Sequence, residues 1–141
     1  MSENLTNMTN VQYHEDDRAQ RCLNLFPEVE GQINVSHVNS TGHVVAWHKH
    51  EKQTDYWFCI RGSFKVGLAL PAKDGKYEVR WEYLSDKYPR SLSIKPGVYH
   101  GYKALEPGSI MLYYLTEKYD PHDEHRALPG DFGEDWTTEN K

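Results

Sequence analysis

Trp47-His48-Lys49-His50, with Gly42 six residues before its first histidine, Asp55 beyond it and Gly62 seven residues further on, is the stretch that decides the fold. Two histidines one residue apart face the same way on an extended backbone, because successive side chains of a strand point to opposite faces. A second stretch, Ile94-Lys95-Pro96-Gly97-Val98-Tyr99-His100-Gly101, sets another histidine just after a Pro-Gly turn. Together they predict a small β-barrel with several histidines directed into its mouth. Imidazole serves there either as a proton carrier or as a metal ligand.

Working outward, the rest of the chain reads as short strands. Ile33–Val38, His43–Trp47, Tyr56–Ile60, Ser63–Leu70, Ser91–Ile94 and Ser109–Thr116 are strand candidates. Tyr77–Tyr83 alternates apolar and charged residues, the period of a strand with one wet face. Asp74-Gly75 is a hairpin turn signal, and Pro96-Gly97 and Pro107-Gly108 mark further turns. With no amphipathic helix among them, these elements predict an all-β protein, a sandwich or barrel. The length of 141 residues suits one domain. Residues 1–20 read as a loose polar arm and 21–141 as the barrel. Phe132 and Trp136, in an otherwise acidic tail, are too large and apolar to stay in water, so the tail is expected to fold back on the barrel or on a partner subunit.

Composition narrows the function. A net charge of -5 and the lack of a basic run argue against nucleic-acid binding. No apolar stretch is long enough to span a membrane, and the polar start has no secretory pattern, which leads to the expectation of a cytoplasmic protein. Sequons such as those at Asn4, Asn7 and Asn39 then read as chance matches. Two cysteines, Cys22 and Cys59, make no disulfide framework, and Cys59 reads as a buried thiol.

The residues able to carry chemistry are His48, His50, Asp55 and His100, with Tyr113 or Tyr114 as a proton donor and Asp131 or Asp135 as carboxylates that could orient a histidine. Three histidines and Asp55 could hold Fe, Mn, Ni or Zn with positions left open. The same groups could instead move protons without a metal. Strand alternation lets only one of Tyr113 and Tyr114 face the mouth.

The layout G-x5-H-x-H-x4-D-x6-G is close to the first signature of the cupin barrels. Over residues 31–141 the chain resembles the cupin-fold dTDP-4-dehydrorhamnose 3,5-epimerases and their shorter sugar-nucleotide epimerase relatives. The resemblance is carried by Gly31–Ser36, Ala46–His50 with Gln53 and Asp55, Ile60-Arg61-Gly62, Ile94–Tyr102, Leu112–Tyr114, Tyr119-Asp120-Pro121, Asp123-Glu124, Asp135-Trp136 and Asn140-Lys141. It implies a cofactor-independent isomerase acting on a nucleotide-linked 4-keto-6-deoxy sugar in carbohydrate biosynthesis, with no metal needed. His48 is then the base, Asp131 its carboxylate partner and Tyr113 the acid on the opposite face. His50, Gln53, Asp55, Arg61, His100 and Tyr119 are substrate contacts, Tyr119 packing on the nucleotide base. A homodimer is expected. Val45 and Asp55 depart from the full-length epimerases, which carry an Arg and a Lys there. Rival readings are a sugar-nucleotide 3,4-ketoisomerase, a metal-dependent dioxygenase-like cupin using His48, His50, Asp55 and His100, and a non-catalytic sugar-nucleotide binder.

Overall fold

The computed structural model describes residues 5–138; Asn4 and the Asn140-Lys141 pair lie outside the described residues. Eleven strands form two antiparallel sheets: β1 (Gln12–Glu15), β2 (Gln20–Leu23), β3 (Gln32–Val38), β4 (Val44–Lys49), β5 (Asp55–Arg61), β6 (Ser63–Pro71), β7 (Tyr77–Ser85), β8 (Ser91–Ile94), β9 (Tyr99–Ala104), β10 (Ser109–Leu115) and β11 (His125–Arg126). The first sheet runs β1-β2-β3-β10-β5-β8 and the second β11-β4-β9-β6-β7. This is the all-β architecture expected from the strand pattern, in the jelly-roll form that the cupin resemblance implies.

Strand alternation builds the core. Along β5, Asp55, Trp57 and Cys59 are buried and Tyr56 and Ile60 exposed. Between the sheets, Trp57, Phe64, Val66, Leu84, Ile94, Tyr102 and Met111 pack into one cluster. Cys59 is 2% exposed and burial raises its pKa to about 11, so this thiol is inert, as its apolar surroundings in the sequence predict. Strand β6 is buried along nearly its whole length. Its alternate residues serve two cores, one between the sheets and one on the outer face of the second sheet.

The outer core is the seat of the C-terminal tail. Trp136 and Phe132 pack on Trp47, with ring centroids 5.3 and 5.2 Å away, and Trp81 meets Trp136 edge-on at 4.8 Å. The Glu134 carboxylate clasps the arrangement, accepting from the indole N–H of Trp136 at 2.7 Å and of Trp47 at 3.2 Å. Gly67 lies beneath: a Cβ there would sit 2.7 Å from Trp47 and 2.8 Å from Trp136. Only a residue without a side chain lets both indoles reach the sheet.

Asp74 and Gly75 both take positive φ, 61° and 69°, in the tight turn that joins β6 to β7, as a hairpin signal of this kind requires. Three features differ from the sequence reading. Residues 12–23, expected within or beside a loose arm, form the β1–β2 hairpin on the edge of the first sheet. Its bend is held by the Asp16 carboxylate, which accepts from Arg18 and Arg21 at 2.9 Å each. Polar pairing rather than an apolar stripe makes this hairpin, so no hydrophobic period announced it. Strand β9 was not foreseen as a strand either, because Gly101 interrupts it, and β11 is only two residues long.

Candidate active site

A cavity of about 740 Å3 opens between the sheets at one end of the barrel. Two walls supply its chemistry. On the second sheet, β4 breaks its alternation: Val45 packs in the inner core, Ala46 and Trp47 both pack in the outer one, and the pairing with β9 shifts register between Val45 and His48. His48 therefore turns inward, opposite His100 of β9 in the strand register. Lys49 faces outward, its ammonium 5.0 Å from the Tyr99 ring centroid. The lysine beside the histidines is thus spent on the outer face and leaves the cavity wall free of it.

His48 Nδ1 lies 3.0 Å from Glu124 Oε1. A carboxylate only accepts, so Nδ1 carries the proton and Nε2 keeps a lone pair. The hydrogen bond to His48 lowers the Glu124 pKa to about 2 against the opposing effect of burial. Glu124 Oε2 also accepts from Arg126 at 3.3 Å, and the Tyr119 hydroxyl is 3.5 Å away. The carboxylate is placed by a short turn. Asp120 caps it by accepting from the His122 N–H, and Pro121–Asp123 form a single 3-10 turn. The buried Asp123 carboxylate then accepts from the backbone N–H groups of Glu51, Lys52 and Gln53. Burial acts to raise the Asp123 pKa, but those three donors outweigh it and leave it lowered. The segment after the turn pairs with β4, Arg126 opposite His48.

The expected partner Asp131 is elsewhere. It accepts from the Leu128 N–H at 2.7 Å in a solvent-exposed turn and does not line the cavity. The turn before β11 presents the glutamate first, so Glu124 takes the place at the imidazole. Arg61 is likewise apart: it ends β5 in solvent and is not among the lining residues. His48, His50, Gln53, Asp55, His100, Tyr113 and Tyr119 all line the cavity.

The facing sheet contributes Tyr113 of β10. Its hydroxyl shares a hydrogen bond of 3.0 Å with Ser36, and burial pushes its pKa up to about 12, so it holds its proton. Tyr114 points the other way, donating to the Glu30 carbonyl and stacking on Tyr56.

Deeper in the cavity, Asp55 is 4% and His100 5% exposed. Asp55 Oδ1 accepts from Gln53 Nε2 at 2.7 Å and Oδ2 from the Trp57 indole at 3.1 Å. His100 Nε2 lies 3.4 Å from Asp55 Oδ2, and its Nδ1 lies 3.2 Å from the Val98 carbonyl. Burial lowers the His100 pKa to about 4, and the nearby Asp55 does not restore it. His50 Nδ1 is 2.8 Å from the Asp123 carbonyl, and its ring is 5.4 Å from that of His100. Of the expected four-ligand set, His50, Asp55 and His100 converge, each with one ligand atom within 4.8 Å of the others; His48 is not in that group.

Residues missed in the sequence complete the walls: Glu124, Tyr102, Arg126, and Arg18 and Arg21 from the β1–β2 hairpin, with the buried Ser36 behind them on the Tyr113 hydroxyl. Asp123-Glu124 is a visible acidic pair in the sequence, but which carboxylate meets His48 depends on the turn.

Two antiparallel sheets closed over a histidine-lined mouth define the class: this is a cupin-type jelly-roll barrel. Within that class, the family described as dTDP-4-dehydrorhamnose 3,5-epimerase matches residues 8–140, and the chain belongs to that family. It is 34% identical over 105 residues to the spore coat polysaccharide biosynthesis protein SpsL of Bacillus subtilis (strain 168), covering 70% of each. It is 33% identical over 87 residues to the dTDP-4-dehydrorhamnose 3,5-epimerase of Mycolicibacterium smegmatis, covering 60% of this chain and 43% of that one. The crystal structure of dTDP-4-dehydrorhamnose 3,5-epimerase from Bacillus anthracis, with TDP and PPi bound, superposes with a TM-score of 0.63 at 25% identity, over 69% of this chain and 58% of that one. The chain spans about half the length of the epimerases it matches.

Proposed function

We propose that the protein is an epimerase of a nucleotide-linked 4-keto-6-deoxy sugar. The observation that carries this reading is the placement of a carboxylate-held imidazole, His48, and a protonated phenol, Tyr113, on facing sheets of one cavity. His48 Nε2 takes the proton from the carbon beside the ketone, and the electron pair of that C–H bond moves to give an enolate. The Tyr113 hydroxyl returns a proton to the opposite face as the enolate collapses, which inverts the centre. The tyrosinate regains its proton and the imidazolium loses one through solvent, so the cycle closes with no net change in protons.

The cavity volume falls in the range of small-molecule sites, and it carries cations for a diphosphate in Arg18, Arg21 and Arg126. Tyr119, 64% exposed at the rim, offers a face for a nucleotide base. The nucleotide in the Bacillus anthracis structure and the polysaccharide role in the name of SpsL support the same substrate class. Among the described residues no helix is long and apolar enough to cross a membrane. The protein acts as a homodimer.

The test is wash-in of deuterium from heavy water into a dTDP-4-keto-6-deoxy sugar. The wild-type protein incorporates deuterium beside the ketone. His48→Asn, folded by circular dichroism, lowers that rate at least about 100-fold. Undiminished wash-in by the folded variant overturns the assignment.

A further inference from the structure

We propose that Ser36 and Tyr102 are positioning residues for the acid: with Arg21 they form one chain of donors that backs the Tyr113 hydroxyl and replaces the proton it gives away. This rests on the epimerase reading and adds the path that serves its acid.

The chain crosses from one sheet to the other. Ser36 of β3 and Tyr113 of β10 stand on neighbouring strands of the first sheet, their hydroxyl oxygens 3.0 Å apart. Ser36 is 0% exposed, so its hydroxyl finds its partners inside the protein. Tyr102 comes from β9 of the facing sheet, its ring set edge-on to Trp57 and Phe64 with centroids 5.6 and 5.4 Å away. It belongs to the inner core that Tyr113 packs against. Burial raises the Tyr102 pKa, and hydrogen bonding with Ser36 and Arg21 opposes that rise, which sets both groups at the Tyr102 hydroxyl. Arg21 is the deeper of the two hairpin arginines, its side chain 12% exposed against 43% for Arg18. Asp16 takes one of its N–H groups at 2.9 Å, which leaves others to donate.

Donor and acceptor rules give the chain a single direction. A guanidinium only donates, so Arg21 gives to the Tyr102 oxygen. The Tyr102 hydrogen is then free for Ser36 Oγ. At the other end, Tyr113 must aim its hydrogen at the carbon it protonates, so its oxygen accepts from Ser36. Each hydroxyl thereby accepts one hydrogen bond and offers one proton.

That order suits the step. Burial pushes the Tyr113 pKa up to about 12, so a tyrosinate left alone between the sheets is costly. As the Tyr113 O–H bond breaks toward carbon, the Ser36 proton moves to Tyr113 and the Tyr102 proton moves to Ser36. The negative charge comes to rest on Tyr102 against the Arg21 cation, and Arg18 acts in the same sense. At Tyr113 the Asp55 carboxylate of β5 works against a negative charge, a second reason for the charge to leave. Tyr102 lines the cavity and takes its proton back from water once the product has gone. Protons balance over the cycle.

The experiment uses the full chain and a dTDP-4-keto-6-deoxy sugar. Inversion is followed in single turnover, with enzyme in excess, in mixtures of light and heavy water. Several protons moving together make the wild-type rate fall along a curve as the deuterium fraction rises; one proton makes it fall along a straight line. Tyr102→Phe leaves the Ser36–Tyr113 bond in place and cuts the chain beyond it, while Ser36→Ala cuts it at the centre. Each is expected to slow inversion at least about 10-fold and to straighten the curve. Each should keep KM and His48-dependent deuterium wash-in within about twofold of wild type. Tyr88→Phe, an exposed phenol outside the cavity, should change nothing. Circular dichroism checks each fold, and either variant decides the matter if the other fails to fold. A straight line for the wild type overturns the chain, and so does an equal fall in wash-in and inversion. A slow Ser36→Ala beside an unimpaired Tyr102→Phe overturns it too, since Ser36 would then only prop the phenol. Those three results leave the epimerase reading standing. A wild-type protein that neither exchanges nor inverts overturns both.

Discussion

At the scale of single residues, the acid and the orienting carboxylate are the most exposed to test. Tyr113→Phe keeps the ring in place and removes the hydroxyl that meets Ser36. It is expected to keep His48-dependent deuterium wash-in while losing most of the inverted product, and Tyr114→Phe, on the outer face, is expected to change neither. The reverse pattern would move the acid to the other tyrosine. Glu124→Gln is expected to lower kcat about 10- to 100-fold with little change in KM, because the imidazole loses the charge that steadies its protonated form. Asp131→Asn should leave both constants alone. Glu124 also ties stability to pH. Its folded-state pKa is lowered to about 2, so its contribution is complete above its ordinary value of about 4.5 and fades as pH falls toward 2. Unfolding free energies of wild type and Glu124→Gln from urea curves should therefore differ by about 1–2 kcal/mol near neutrality and converge in strong acid. His48, His50, Asp55 and His100 were legible in the sequence because the His-x-His spacing, the carboxylate after it and the Pro-Gly turn before His100 form one layout. Glu124 was not: it reaches His48 across 76 positions through a turn whose shape depends on Asp123 gathering three backbone donors. Arg61 misled because its side of β5 and its distance from the mouth are set by how far the strand runs before Gly62.

At the scale of elements, the tail braces the second sheet through the outer core. Trp136→Ala removes an indole that is 7% exposed and loses the Glu134 hydrogen bond with it. It is expected to cost about 3–5 kcal/mol, read as a loss of urea stability with the barrel still folded. The inward apolar positions and turn residues of seven strands were legible because each alternates or is bounded by Gly, Pro or Asp. The β1–β2 hairpin was not, because its residues pair through Asp16, Arg18 and Arg21 rather than through an apolar face. The tail was legible only as a pair of aromatics in search of a surface. Its seat required knowing that Gly67 leaves a hollow beneath two indoles.

For the whole molecule, the outer face of the first sheet is the feature that asks for a partner. Ile60 and Tyr56 are 46% and 38% exposed there, beside the half-buried Phe58, Leu112 and Tyr114 of the same face. A patch of this kind is a common way for two barrels to meet. Light scattering should report a dimer at micromolar concentration. Ile60→Asp together with Leu112→Asp should shift it toward monomer without disturbing the inner core, since both side chains point away from it.

Strand β4 has a consequence that reaches past this molecule. Its outward residues hold the tail and its inward residues furnish the site, so the two demands fall on different letters of one short word. A lineage can rewrite the inward letters to follow a new sugar while the outward ones keep the barrel shut. Diversification of such a barrel in the laboratory has the same licence: randomise position 45, keep the base at 48, leave 47 and 49 as they are, and the library spends its variety on chemistry instead of on collapse.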